Sequence, residues 1–202
     1  PISSHLDAFC SHPVYRGVEY VPVTMIRGDL GNLPVYDLPA PFGIRDFRHG
    51  EGDFWAEIEH AAAEFKSVEK ARQHFEEEFG AQPNEFSRRC QFLTTGEGRV
   101  IGTATAWFNA SFQGKLHGQL HWVAILPEFQ GRALSKPLVG AAMNRMKAYH
   151  DRAFLTSQTT SWKAIKVYLD FGFLPLIESP EHHRGWRLLQ DKLRHPCLES
   201  FV

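Results

Sequence analysis

The chain has 202 residues, 43% of them hydrophobic, which is enough to bury one sizeable core and short for two full domains. Its 22 basic and 23 acidic residues leave a formal charge of −1, which excludes an overall pull toward nucleic acid or an anionic membrane and makes any anion site a local one. No apolar run approaches the ~18 residues of a membrane span, and the scattered Cys10, Cys90 and Cys197 suggest neither a disulfide framework nor a zinc site, which fits a cytoplasmic protein.

Residues 1–40 are dense in turn formers ("HPVYRG", "RGDLGNLP", "YDLPAP") and read as an N-terminal extension laid on a domain spanning 41–189, with 190–202 as a tail. "FGIRDF" alternates apolar and polar residues like a first core strand. In "GDFWAEIEHAAAEF", Phe54, Ile58, Ala61 and Phe65 recur at helical spacing; Val68, Ala71, Phe75 and Phe79 repeat the pattern after Ser67, an N-cap. "RRCQFLTTGEGRVIGTATAWFNASF" holds two β-rich runs split by Gly96-Glu97-Gly98, the pattern of a hairpin. "GQLHWVAIL" is an uncharged central strand ended by Pro127. Pro137 is tolerated only in a first turn, so "LSKPLVGAAMNRMKAY" starts its helix near Leu134. "AFLTSQ" reads as a strand, "SWKAIKVYLDF" as a helix stopped by Gly172, and "FLPLIE" and "GWRLLQ" as late strands. This order predicts an α/β fold with a mixed sheet flanked by helices.

The chemistry concentrates where the central strand turns into a helix, "PEFQGRALSKPL". A helix start leaves backbone N–H groups unpaired and carries partial positive charge, so the small-residue loop Gln130 to Ser135 can hold a diphosphate; a solvated helix start is the other reading. On the central strand, Gln119 and His121 lie two apart and so share a face. Gln119 cannot act as a base, which leaves His121, whose reference pKa of about 6.5 suits proton transfer, with a hydrogen-bonded core histidine as the alternative. Tyr168, three residues after Ile165, leans toward the buried side of its helix, as a reactive phenol or as a core tyrosine. His182-His183, and His117 with His121, lack chelate spacing, and no metal is proposed.

"VAILPEFQGRALS", followed one strand and one helix later by "TTSWKAIKVYLDFGF", resembles the GNAT superfamily of acyl-CoA-dependent N-acyltransferases. The resemblance covers roughly Phe42 to Leu189. It implies a mixed, mostly antiparallel central sheet flanked by helices, and transfer of an acetyl group from acetyl-CoA to a primary amine of a small-molecule or peptide acceptor by direct attack. It further implies that Val123, Ala124 and Ile125 pair with the pantetheine arm and that Gln130, Gly131, Arg132, Ala133, Leu134 and Ser135 wrap the pyrophosphate. Thr160 or Ser161, with Lys163, would contact the far half of the cofactor. Tyr168 would stabilise or protonate the departing thiolate, with His121 drawing off the amine's proton. Trp55, Phe65, Trp107, Phe108 and Phe112 would line an acceptor pocket, and late strands would mediate a homodimer. Glu76-Glu77-Glu78 reads as a solvated helix face or as a lure for a cationic amine. Ala133 and Ser135 stand where the family usually has glycines; Ala replaces Gly wherever φ is negative. That departure motivates a competing function, an acyl-CoA-binding module with little or no catalysis.

Overall fold

In the computed structural model, which describes residues 18–199, the chain runs β1 (Pro22–Arg27), β2 (Gly43–Asp46), α1 (Gly52–Ala61), α2 (Val68–Phe79), α3 (Pro83–Arg89), β3 (Cys90–Thr94), β4 (Val100–Phe112) and β5 (Lys115–Ile125), then α4 (Ser135–Lys147), β6 (Ala153–Gln158), α5 (Trp162–Asp170), β7 (Leu174–Leu176) and α6 (Pro180–Leu193). Cys10 and the first part of the expected extension lie outside the described residues. The sheet has the order β2-β3-β4-β5-β6-β1-β7. Every pairing is antiparallel except β5 with β6, which needs the crossover that α4 supplies.

The local signals act as expected in most places. Ser67 caps α2, its hydroxyl accepting from the Lys70 N–H at 3.3 Å. Leu134 is the N-cap of α4, and Gly172 follows α5 at φ +75. Alternate sheet residues feed two cores. One gathers Leu93, Ile101 and Leu155 with Leu138 and Met143 of α4, Ile165 of α5 and Trp186 of α6. The other gathers Phe92, Trp107 and Ala124 with Trp55 and Ile58 of α1, Phe79 of α2 and Phe86 of α3. The sheet is thus covered on both faces.

Two segments depart from the sequence reading. "GWRLLQ" is helical, part of α6: Ser179 caps it, accepting from the His182 N–H at 3.1 Å, and Pro180 opens the first turn. Its buried residues Gly185, Trp186 and Leu189 fall at helical rather than alternating spacing. The missing strand comes instead from the turn-rich N-terminal segment. β1 lies between β6 and β7, pairing from Pro22↔Gln158 to Arg27↔Ala153 on one side and through Thr24↔Leu176 on the other. Val21, Val23 and Met25 are wholly buried there. A third helix, α3, fills the gap before β3 with Pro83 in its first turn. Among the described residues no helix is long and apolar enough to cross a membrane.

Candidate active site

β5 and β6 pair only through Gly118↔Ala153 and Gln119↔Phe154. Beyond those two rungs the parallel strands part and open a cleft of about 190 Å³ whose walls include Glu59, Glu64, His121, Trp122, Ser161 and Tyr168. Because the gap runs through the sheet, side chains from α1 on one face and α5 on the other meet in it. At the C-terminal ends of the two strands stand two helix N-termini, those of α4 and α5.

The β5 wall is shaped by a bulge. Thr103 faces Ala124 and Thr105 faces His121, so β5 carries one residue more than β4 across this step, and Trp122 takes φ +49 to absorb it. Neighbours on a regular strand point to opposite faces. Here both reach the same carboxylate. His121 Nε2 lies 2.7 Å from Glu78 Oε1, and Trp122 Nε1 donates to Glu78 Oε2 at 2.8 Å. His74, one helical turn before Glu78, adds a contact at 2.9 Å. Burial by itself would push the Glu78 carboxyl up; the hydrogen bonds from His121 and His74, helped by the Trp122 N–H, outweigh it and hold the group well below the usual carboxylate range. With Nε2–H donating to Glu78, the Nδ1 of His121 is the accepting nitrogen, and the Gln119 amide stands 3.4 Å from it. Glu78 therefore faces inward, unlike the exposed Glu76 and Glu77, which corrects the reading of the triplet as one solvated face.

The opposite wall carries Tyr168, 7% exposed, on α5. Burial first, then the nearby charges of Glu64 and Glu59, push its phenol well above the usual tyrosine range. Those two acids were not singled out in the sequence. The backbone N–H of Glu64 donates to the Glu59 carbonyl at 3.0 Å while Ala63 turns the chain back at φ +68, so the chain closes α1 with both carboxyls lining one cleft. His60 locks the turn through the Phe65 carbonyl at 2.8 Å. Glu59 is 1% exposed and its Oε1 has no hydrogen-bond partner among the described residues. Burial, reinforced by Glu64 and Glu78, drives its pKa far up, and burial brings Glu64 to about 7. The signal for this pair was tertiary: in sequence they are two ordinary acids on a helix end.

The turn after β5 begins with a short 3-10 helix, Pro127–Phe129. Gln130 folds its amide back onto the Ile125 carbonyl at 2.9 Å, and the Arg132 guanidinium lies over the Phe129 ring and donates to the Glu128 carbonyl. Gly131 and Ala133 both take left-handed conformations, φ +76 and +60. The condition under which alanine replaces glycine freely, a negative φ, is therefore not met at Ala133; the turn asks an alanine for a conformation glycine adopts freely. No side chain caps α4, and among the described residues no hydrogen bond engages the N–H groups of Gly131, Arg132, Ala133, Leu134 or Ser135. Alternating conformations with free amides at a positive helix end are a geometry that suits an anion. On β5, the Ala124 carbonyl is turned toward Gly102 of β4, which leaves Val123 and Ile125 on the open side. Ser161 lines the cleft and accepts from the Gln158 amide at 2.8 Å, whereas Lys163 is exposed, its ammonium over Trp162.

The expected aromatic pocket is largely core. Trp55, Phe65 and Trp107 are buried with Phe79 and Phe86 beneath α1–α3, Phe108 lies on Arg89, and Phe112 stacks on Phe154 at 3.8 Å. The aromatic groups facing the cleft are Trp122 and Tyr168.

A sheet split between parallel strands, with a helix start at the end of the split and a buried tyrosine beside it, is the arrangement that the comparisons then place in a family. The model of the acetyltransferase (GNAT) family matches residues 55–173, and the chain belongs to that family. Solved structures share the fold. A GCN5-related N-acetyltransferase from Sphaerobacter thermophilus aligns at 16% identity and TM-score 0.60, over 78% of this chain and 49% of that one. One from Kribbella flavida aligns at 18% and 0.52, over 77% and 54%, and a Pyrococcus horikoshii OT3 protein at 16% and 0.57, over 68% and 92%. The chain thus spans about half the length of several structures it matches. No curated protein matches it.

Proposed function

We propose that this acetyltransferase moves an acetyl group from acetyl-CoA to a primary amine by direct attack. The observation that carries the reading is the free edge of β5 beside the parted strands, ending in the unbonded amides of Gly131 to Ser135, with the Tyr168 phenol facing the same gap. Val123 and the N–H of Ile125 hold the pantetheine arm by strand addition, since these backbone groups face the seam while the Ile125 carbonyl is taken by the Gln130 amide. The amides of Gly131, Arg132, Ala133, Leu134 and Ser135 take the pyrophosphate, aided by the α4 dipole and by Arg132, which can swing from Phe129 to the anion. Ser161 and Lys163 border the same ligand from the start of α5.

The bound thioester supplies an activated acyl group. His121, steered by Glu78 as a carboxylate steers an imidazole in hydrolytic dyads, accepts a proton from the attacking amine at Nδ1. As the C–N bond forms and the C–S bond breaks, Tyr168 gives its proton to the leaving sulfur; its burial and its acidic neighbours keep the phenol protonated until then. Incubation with acetyl-CoA and an amine panel, following thiol release, tests the proposal. Turnover with at least one primary amine is expected. Coenzyme binding without release of thiol from any amine would instead identify a binding module.

A further inference from the structure

The cleft holds two acids that the proposed acetyl transfer does not use. Resting on that reading of the cleft, we propose that Glu59 and Glu64 form the docking site for the acceptor, which enters as a primary ammonium and seats its positive head group between the two carboxyls. Glu59 is almost wholly buried, lines the cleft, and leaves its buried Oε1 without a partner among the described residues. Buried polar atoms are nearly always paired, and an unpaired carboxyl oxygen lining a cleft is free to accept from an incoming donor. Glu64 is brought beside it by the left-handed turn at Ala63 and by its own N–H bond to the Glu59 carbonyl.

Among the described residues, the charges that act on the carboxyl of Glu59 are those of Glu64 and Glu78. From α2 comes Glu78, its charge already balanced by His74, His121 and Trp122. From β3 comes the buried Cys90 thiol, from α5 the Tyr168 phenol, and from the segment before β1 the Tyr20 hydroxyl, each pushed up partly by Glu59 or Glu64. Lys66, two residues past Glu64, is exposed. A neutral Glu59 with an ionised Glu64 makes a monoanionic pair, and one ammonium neutralises it while donating to the open Glu59 oxygen. Since Glu64 ionises near pH 7, ammonium binding strengthens as pH rises through about 7 and falls again where the amine loses its own proton, at roughly pH 10. An uncharged acceptor of the same shape gains nothing from the pair.

The test is calorimetric titration of butylamine, with 1-butanol as its uncharged isostere, into protein saturated with coenzyme A, for wild type, Glu64→Gln and Glu59→Gln. Butylamine should bind the wild type at pH 8 and about tenfold more weakly at pH 6. Each variant should weaken it about tenfold or more, Glu64→Gln should flatten the pH dependence, and 1-butanol should bind none of the three proteins. Binding by both variants equal to that of the wild type, equal binding of the alcohol, or no binding of butylamine at all overturns the proposal. No step of this measurement needs turnover. Binding that depends on Glu64, without thiol release, leaves the docking site standing while the reaction falls; turnover with unaltered amine affinity in the variants does the reverse.

Discussion

His121 and Glu78, 43 positions apart in sequence, are joined by a 2.7 Å contact across the α2–β5 interface, and Trp122 joins the same carboxylate because the bulge turns it to His121's side. Glu78→Ala takes away the carboxylate that His121 and Trp122 donate to and should destabilise the fold by about 2–4 kcal/mol. The pH dependence has a definite sign. The folded carboxyl lies below its unfolded value, so its stabilisation is fully present above about pH 4.3 and is lost as pH falls through the folded value. Urea unfolding of wild type and variant from pH 7 downward should show their difference shrinking only on the acidic side.

Tyr168→Phe removes the proton donor while keeping the ring that packs beside Phe173. Turnover should fall by about a hundredfold. Coenzyme affinity should stay nearly unchanged, because the phenol is not among the pyrophosphate amides. Steady-state kinetics beside calorimetry with coenzyme A separate the two effects. An unaltered rate would exclude the phenol as acid.

Ala133→Gly relieves a left-handed alanine at φ +60. The strain released is about 1–2 kcal/mol, and glycine's extra freedom in the unfolded chain offsets about half of it. A net gain of about 0.5–1 kcal/mol corresponds to a Tm rise of about 1–4 °C for a chain of this size. Thermal unfolding of the two proteins checks it, and a lower Tm in the glycine variant contradicts the assigned strain.

Gly185→Val tests the seat of β1. A Cβ at Gly185 would stand 2.9 Å from Val21 Cγ1 and 3.0 Å from Val23 Cγ1, so even one methyl forces α6 off the strand. The branched side chain should cost about 1–3 kcal/mol, read as a lower denaturation midpoint. Thr24, partly buried on the same strand, is the control: Thr24→Val, which keeps the side-chain shape, should have a much smaller effect.

The sequence made the local decisions legible. Ser67, Pro137 and Gly172 mark helix ends through backbone chemistry that needs no partner, and the hairpin around Gly96-Glu97-Gly98 is set by residues within reach of one another. The strand–Pro–Gln-Gly-Arg turn was equally readable, since free amides at a helix start result from helix geometry alone. "GWRLLQ" misled because a short apolar run fits either period, and the cap at Ser179 that decides it lies outside the run. The φ of Ala133 was hidden for another reason, since alanine disfavours the left-handed region and nothing in its local sequence calls for it.

By itself the sequence determined where several helices begin and end and that a turn with small residues precedes α4, because those outcomes depend on neighbours a few residues away, whereas the strand at Pro22–Arg27 and the helix over "GWRLLQ" depend on what they pack against. Only the tertiary structure decided that Glu59 and Glu64 of one layer share a cleft with Tyr168 of another, and that Glu78 turns from solvent to His121 and Trp122. The physical reason is that these meetings require two strands to part and one to bulge, and both depend on pairing between segments distant in the chain.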